Sequence, residues 1–276
     1  MSLTKNIRSK LELRPVHDDA RSISAVAKTI TLSFADDPLI KWLRPLAPAW
    51  SIDEPNTFKW QYRRIQRTIA QGMVLQSAPG LQNHQHAVLP KSSESDGAAT
   101  HMVDTAGDVR GEFDHNAAGV AVLLFPPASR RNWTISGIFL TIKLWVLDIF
   151  DPVPEKGTNV QRMEMMMATH EESMTRIKMQ YQVPDLWYLE VIAVDPDWQG
   201  RGVGRKAMCS VLELVQDEPI VLECTSETNI GFYQKLGFEV VEEVQLTEGD
   251  EAVKLWFMLR QTTNKDNCTP ESIFDA

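Results

Sequence analysis

The stretch Trp187-Tyr-Leu-Glu-Val-Ile-Ala-Val-Asp-Pro-Asp-Trp-Gln-Gly-Arg-Gly-Val-Gly204 decides how the rest of the chain is read. Residues 187–194 are β-branched and aromatic and lie between Pro184 and Asp195-Pro196. That is the composition and length of a buried strand. Residues 195–202 carry turn chemistry, and from Val203 the apolar spacing becomes helical. A strand, a glycine-rich turn and a helix together present backbone N–H groups to an anion such as a phosphate. Gly200, Gly202 and Gly204 permit close backbone approach and positive φ, and Arg201 and Arg205 add positive charge. Val203, Ala207, Met208, Val211, Leu212 and Val215 form the stripe that would dock the helix on a sheet. The competing reading is a tight turn that binds nothing. The turn has no Gly-Lys-Ser/Thr ending and no convincing acidic residue ~20 positions on, which disfavours triphosphate hydrolysis and dinucleotide binding.

Outward toward the C-terminus, the pattern predicts a helix over 203–216, a strand over 219–225 and a short helix over 229–235. Strands over 238–246 and 252–259 form a hairpin around Glu248-Gly-Asp250. Residues 261–276 are polar and read as a flexible tail. Toward the N-terminus, Leu11–Val16 reads as a short strand, followed by a helix over 19–34 capped by Asp18-Asp19 and one further turn over 39–42. A long helix over 56–77 carries Arg63, Arg64 and Arg67. Residues 78–117, rich in Gly, Ser, Asn, Gln and His, read as a long disordered insertion with a weak strand near 99–103. A strand over 119–125, an apolar helix over 132–150 and an amphipathic helix over 159–181 complete the chain. The methionines at 163, 165, 166 and 167 read as core packing, and so does the apolar helix, with a lining of the acceptor cleft or a dimer contact as its alternatives. The chain is expected to be a single domain over 1–260, with 185–260 as its ligand-binding core.

The bulk properties narrow the function. A net charge of −9 disfavours general nucleic-acid binding. Three cysteines suggest no disulfide framework, and Cys209 and Cys224 fall in predicted core elements. No apolar signal region opens the chain, and the run Ile135–Phe150 carries Lys143 and Asp148, short of the ~20 apolar residues a membrane span needs. No membrane association and a cytoplasmic place, with the nucleus as an alternative, are the expectations.

Two motifs then carry a resemblance. Gln199, Gly202 and Gly204 are similar to the Gln/Arg-x-x-Gly-x-Gly/Ala signature of the GNAT N-acetyltransferase superfamily, led in by Ala193-Val-Asp-Pro196. Phe232-Tyr-Gln-Lys-Leu-Gly-Phe238 resembles that family's second signature at its usual distance. The resemblance extends to Phe34-Ala-Asp-Asp-Pro38 and to Gly119–Pro127, which look like fungal members. It implies an α/β (α+β) fold: a central, mixed, mostly antiparallel twisted sheet flanked by helices and splayed at the acetyl-CoA site. It implies acetyl-CoA as acyl donor and an amine as acceptor, with no metal. Backbone groups of Ile192, Ala193 and Val194 would hold the pantetheine arm. The loop Gln199, Gly200, Arg201, Gly202, Val203, Gly204 and Arg205 would hold the pyrophosphate. Asn229 sits near a family cofactor contact, with a helix N-cap as its equal alternative.

Amine acetylation has two proton problems: the amine must lose one and the thiolate must gain one. The resemblance implies Tyr233 as the acid, and a phenol with pKa ~10 holds its proton at neutral pH. For the base, strand alternation puts Tyr188, Glu190, Ile192 and Val194 on one face. The resemblance points to the Glu190 and Tyr188 positions. A salt bridge from Glu190 to a helix, at 159–180 for instance, is the competing reading. Glu223 is a second candidate. His170 beside Glu171 and Glu172 reads as a solvated helix face rather than a metal site, and His84 and His86 offer adventitious chelation at most. The acceptor is expected to be a small-molecule primary amine attacked directly in a ternary complex. A protein lysine or N-terminal amine, and a non-catalytic CoA-binding module, are the alternatives.

Overall fold

The computed structural model describes residues 11–45, 55–77, 117–131, 134–151, 157–216 and 218–261. The expected insertion at 78–117, apart from residue 117, and the expected tail from 262 lie outside them, as does the weak strand near 99–103.

Among the described residues, seven strands form one sheet: β1 (Leu13–Pro15), β2 (Met73–Ser77), β3 (Val120–Phe125), β4 (Trp187–Val194), β5 (Ile220–Cys224), β6 (Glu239–Glu248) and β7 (Glu251–Arg260). Their order is β1-β2-β3-β4-β5-β7-β6, antiparallel throughout except between β4 and β5. The expected mixed, mostly antiparallel sheet is therefore what forms. The β6–β7 hairpin closes on Gly249-Asp250, where Gly249 takes φ 59°.

Among the described residues, seven α-helices flank it: α1 (Ala20–Ser33), α2 (Pro38–Leu43), α3 (Pro55–Gln71), α4 (Ile135–Phe150), α5 (Val160–Gln180), α6 (Val203–Val215) and α7 (Glu227–Gln234). Asp19 caps α1 through the Ser22 N–H at 2.8 Å, and Asp37 caps α2 through the Ile40 N–H at 3.1 Å. On one face, α1 and α3 bury Ile23, Val26, Ile30 and Ile65 against Val74, Leu123, Val191 and Ala193. On the other, α6 buries the stripe Val203, Ala207, Met208, Val211, Leu212 and Val215 against Val122, Leu189 and Leu222. Cys224 lies in that core and is a free thiol. Met163, Met165 and Met166 of α5 pack on Leu39, Trp42 and Leu246, as their gap-filling role predicts, while Met167 is exposed.

Two expectations fail here. The helix over 56–77 stops at Gln71, and Met73–Ser77 is an internal strand between β1 and β3. Gly72 makes the break, because a Cβ there would stand 2.7 Å from the Leu124 carbonyl oxygen. The apolar helix α4 is no core helix. Only Gly137, Leu140 and Leu144 are buried, and its other face is open.

Candidate active site

The site is built where β4 leaves β5. Trp187, Tyr188 and Leu189 pair in parallel with Ile220, Val221 and Leu222, and the pairing ends there. On its other side β4 stays paired with β3 up to Val194, but with one irregularity: Leu123 opposes Val191 and Leu124 opposes Leu189. Glu190 is thus the extra residue of a β-bulge, which bends a strand and increases its twist. A wedge opens between β4 and β5 beginning at Glu190 on one strand and Glu223 on the other.

The bulge also corrects the expected face. Strict alternation would group Tyr188, Glu190, Ile192 and Val194. Instead Val191 and Ala193 join the α1–α3 core, while Ile192 and Val194 pack against the α6 core with Trp187 and Leu189. A bulge inserts one residue into a period of two, so the strand changes phase as it passes Glu190.

A polar cluster faces α3 and α5. The Arg64 guanidinium donates to Glu190 Oε1 from Nε at 2.9 Å and from Nη2 at 2.7 Å, and stacks 5.4 Å over the Trp60 ring. The competing reading of Glu190, a salt bridge to a helix, therefore describes its geometry, with the partner on α3 rather than on 159–180. Glu190 Oε2 is buried and finds no hydrogen-bond partner among the described residues. Beside it, His170 Nδ1 lies 2.5 Å from Glu223 Oε1, and the imidazole rests on the Tyr188 ring with centroids 5.0 Å apart. His170 is thus not on a solvated helix face. Helical periodicity from Arg162, Ser173 and Ile177, the buried side of α5, was the only signal that could have found it.

Charges set these groups apart. Burial works against a charge on His170, but Glu223 and, farther off, Glu190 and Glu171 outweigh it, so the imidazole titrates above its ordinary value. Burial, then the charges of Glu223 and Glu190, push the Tyr188 phenol well up.

On the opposite face, Tyr233 lies in α7 among Phe232 and Phe238, at ring distances of 5.1 and 5.9 Å. Burial is the main cause that raises its phenol, with neighbouring Cys224 adding to it. Asp37 approaches the same end of β5. It accepts from Thr225, and burial raises its carboxyl against that hydrogen bond. The sequence singles out Asp37 only within Phe34-Ala-Asp-Asp-Pro38, with no role in the site.

The glycine turn has the expected form. Gly200 and Gly202 take φ of 70° and 72°, Gly202 caps α6, and a Cβ at either would meet nothing within 4 Å. Val203, Gly204 and Arg205 are the first turn of α6, whose leading N–H groups have no intrahelical acceptor. Arg201 stacks 5.4 Å over Trp198. Gly204 differs from expectation: it is helical, and a Cβ there would make ordinary contacts with Val194 and Phe232. Gln199 is exposed, and its Nε2 donates to the Val194 carbonyl at 3.0 Å, where Ser33 Oγ donates at 2.7 Å. That carbonyl is thus already taken. The Asp195 N–H donates to the Gly119 carbonyl at 3.0 Å, so by antiparallel alternation Ala193, opposite Ala121, turns its backbone groups to β3, against expectation, and Ile192 and the Val194 N–H are the strand groups left at the wedge. Asn229 is exposed in the first turn of α7, behind the cap residue Ser226. It is not the N-cap.

Residues 165–240 match the family model of the acetyltransferase (GNAT) domain. Over those residues the chain is similar to a GNAT acetyltransferase domain. Among solved structures, arylalkylamine N-acetyltransferase 2 from Aedes aegypti superposes with a TM-score of 0.52 at 12% identity, covering 91% of this chain and 99% of that one. A histone acetyltransferase HPA2 and related acetyltransferase from Corynebacterium glutamicum gives 0.49 at 16% identity, over 94% and 99%. The polyamine N-acetyltransferase of Drosophila melanogaster gives 0.49 at 12%, over 91% and 100%. The mosquito structure shares the fold well beyond the matched residues 165–240. Among the described residues no group of three or more His, Cys, Asp or Glu could hold a metal ion.

Proposed function

We propose that this chain transfers the acetyl group of acetyl-CoA to the primary amine of a small molecule, by direct attack in a ternary complex. The observation that carries this reading is the wedge between β4 and β5. Acid and base candidates stand on its two sides, His170 and Glu223 on one and Tyr233 on the other. The chain's residues fit the donor: a gap where strand pairing ends, and a positive-φ turn with open space over Gly200 and Gly202. Ile192 and the Val194 N–H would hold the pantetheine arm, while Ala193 stays paired with β3, and the 200–205 turn would hold the pyrophosphate. When bound, acetyl-CoA supplies an activated thioester carbon.

The chain's residues then move protons. Neutral His170, held through Nδ1 by Glu223, takes the amine proton at Nε2 as the C–N bond forms. Tyr233 gives its proton to the sulfur as the C–S bond breaks. Its apolar surroundings keep that proton in place until a thiolate develops. Glu190, paired with Arg64, orients rather than accepts. Its buried Oε2 and the Glu223 carboxylate favour a cationic acceptor. The name of the mosquito structure, an arylalkylamine N-acetyltransferase, accords with an amine acceptor. The likeness of 34–38 and 119–127 to fungal members rests on the sequence.

Release of free CoA thiol by the purified chain, with acetyl-CoA and a panel of arylalkylamines, polyamines and lysine peptides, tests the reading. Amine-dependent release with the small amines is expected. Tight acetyl-CoA binding with no amine-dependent release would sink it, and release with peptides alone would shift the acceptor to proteins.

A further inference from the structure

One face of α4 has no part in the site. Its inner side lies on α3 through Gly137, Leu140 and Leu144, and a Cβ at Gly137 would come within 3.2 Å of the Ala70 carbonyl oxygen. Asp148 pairs with Arg63 and Arg67, and the capping Asp151 with Lys59 and Arg63. The outer side is apolar and open: Phe150 is 81% exposed, Ile135 75%, Phe139 69% and Trp145 64%. Scattered exposed apolar residues are ordinary, but these are contiguous. With the remaining Ile and Val of that side they expose roughly 900 Å² of side chain, given the ~150–250 Å² an aromatic side chain can bury. The largest patch on a typical monomer is ~300–600 Å². A standard protein interface takes ~800 Å² from each partner.

The stripe has a further property: it is symmetric about Ile142. At equal distances before and after that residue stand Ile135 and Ile149, Ile138 and Val146, and Phe139 and Trp145. Laid antiparallel on a copy of itself about a two-fold axis through Ile142, the helix sets β-branched residues opposite β-branched ones and aromatic opposite aromatic. A two-fold interface requires that self-complementarity. Ile recurs at every seventh position, 135, 142 and 149, which is the period of a packed helix seam.

We propose that α4 is the subunit contact of a homodimer, with a second copy of this chain on that face in antiparallel register about Ile142. A lipid surface fits less well. Helices that lie on membranes carry Lys and Arg along the polar side, whereas Lys143 is the one basic residue of α4 and the chain has a net charge of −9. No helix among the described residues is long and apolar enough to cross a membrane. The chain's own 78–116 segment has Phe113 as its one Phe, Tyr or Trp and offers little to match three exposed aromatic rings.

Sedimentation velocity on the full chain is expected to give about twice the 31.2 kDa chain mass. Ile142→Lys sets two lysines against each other on the axis and is expected to give a monomer with the wild-type circular dichroism spectrum. Oxidised Ile142→Cys is expected to link to itself, over the background of the native cysteines. Ile135→Cys and Ile149→Cys should link only when the two variants are mixed. A wild-type chain that stays monomeric at tens of micromolar overturns the proposal, whether or not it sediments with phosphatidylcholine vesicles. A dimer that survives Ile142→Lys, or Ile135→Cys linking to itself, overturns the interface and its register.

Discussion

Tyr233 and Tyr188 are both half-buried, with phenols raised above their ordinary value, yet they sit on opposite faces of the sheet and in different company. Tyr233 is surrounded by Phe232, Phe238 and the α6 core, so loss of solvent does most of the raising. Tyr188 lies against His170, Glu223 and Glu190, and the two carboxylates add to its burial. The apolar side can store a proton donor but cannot hold an ion. The polar side holds ions in pairs and can pass a proton among them. A reaction that needs an acid and a base at one carbon is served by that division, with the wedge between β4 and β5 as the shared ground.

The first way to break this contrast is on the polar side. His170→Gln, and separately Glu223→Gln, are expected to lower kcat/KM by about 10²- to 10⁴-fold, the range of general acid–base catalysis. An unchanged rate in either variant would remove the pair from the reaction. The wild-type rate is expected to rise with pH through the raised His170 pKa, because only the neutral imidazole accepts a proton, and the Gln variant should lose that limb. Stability runs the other way. The His170 pKa is raised on folding, so the His170–Glu223 pair stabilises the fold fully below the unfolded value of 6.5 and ceases to do so as pH rises through the folded value. The Tm difference between wild type and His170→Gln should therefore be greater near about pH 6 than near about pH 9.

The apolar side should respond less. Tyr233→Phe is expected to cost several-fold to about 100-fold in kcat, with the alkaline side of the pH–rate profile altered. A profile of unchanged shape would reject it as the acid. Glu190→Gln tests the border between the two sides. It removes the charge that faces Arg64 and should cost about 1–3 kcal/mol of stability in urea denaturation, with a smaller loss of activity than His170→Gln. The smallest effects belong to the turn. Gly202→Ala meets no atoms but must adopt φ 72°, a strain of about 1–2 kcal/mol, and should raise the KM for acetyl-CoA. Gly204→Ala, which is helical and makes ordinary contacts, should stay within about 0.5 kcal/mol of wild type.

Much of the donor half could be read in advance. Residues 187–260 hold short, strongly patterned elements joined by Gly, Pro and Asp turns, and their chemistry is local. β4, α6, β5 and the β6–β7 hairpin stand within a few residues of their predicted bounds. The first half was harder. Met73–Ser77 follows a helix with only Gly72 between, and its Met, Leu and Gln suit a helix as well as a strand. Only the carbonyl of Leu124 in a neighbouring strand shows why Gly72 must be a glycine. The one-sided stripe of α6 points to a sheet, whereas α4 is apolar nearly all round, and nothing within its sequence says which face stays open.

The amino-acid sequence by itself determined the strand, the glycine turn, the helix behind it and the tyrosine of α7. Each depends on neighbours within a few residues, where periodicity and backbone preference act. Tertiary structure decided the rest. A single bulge residue, Glu190, moved the phase of β4 and set which side chains share a face. Folding then brought α3 and α5 over it, so that Arg64 holds Glu190 and His170 meets Glu223. Those pairs join residues 126 and 53 positions apart, and interactions over such distances leave no period in a sequence.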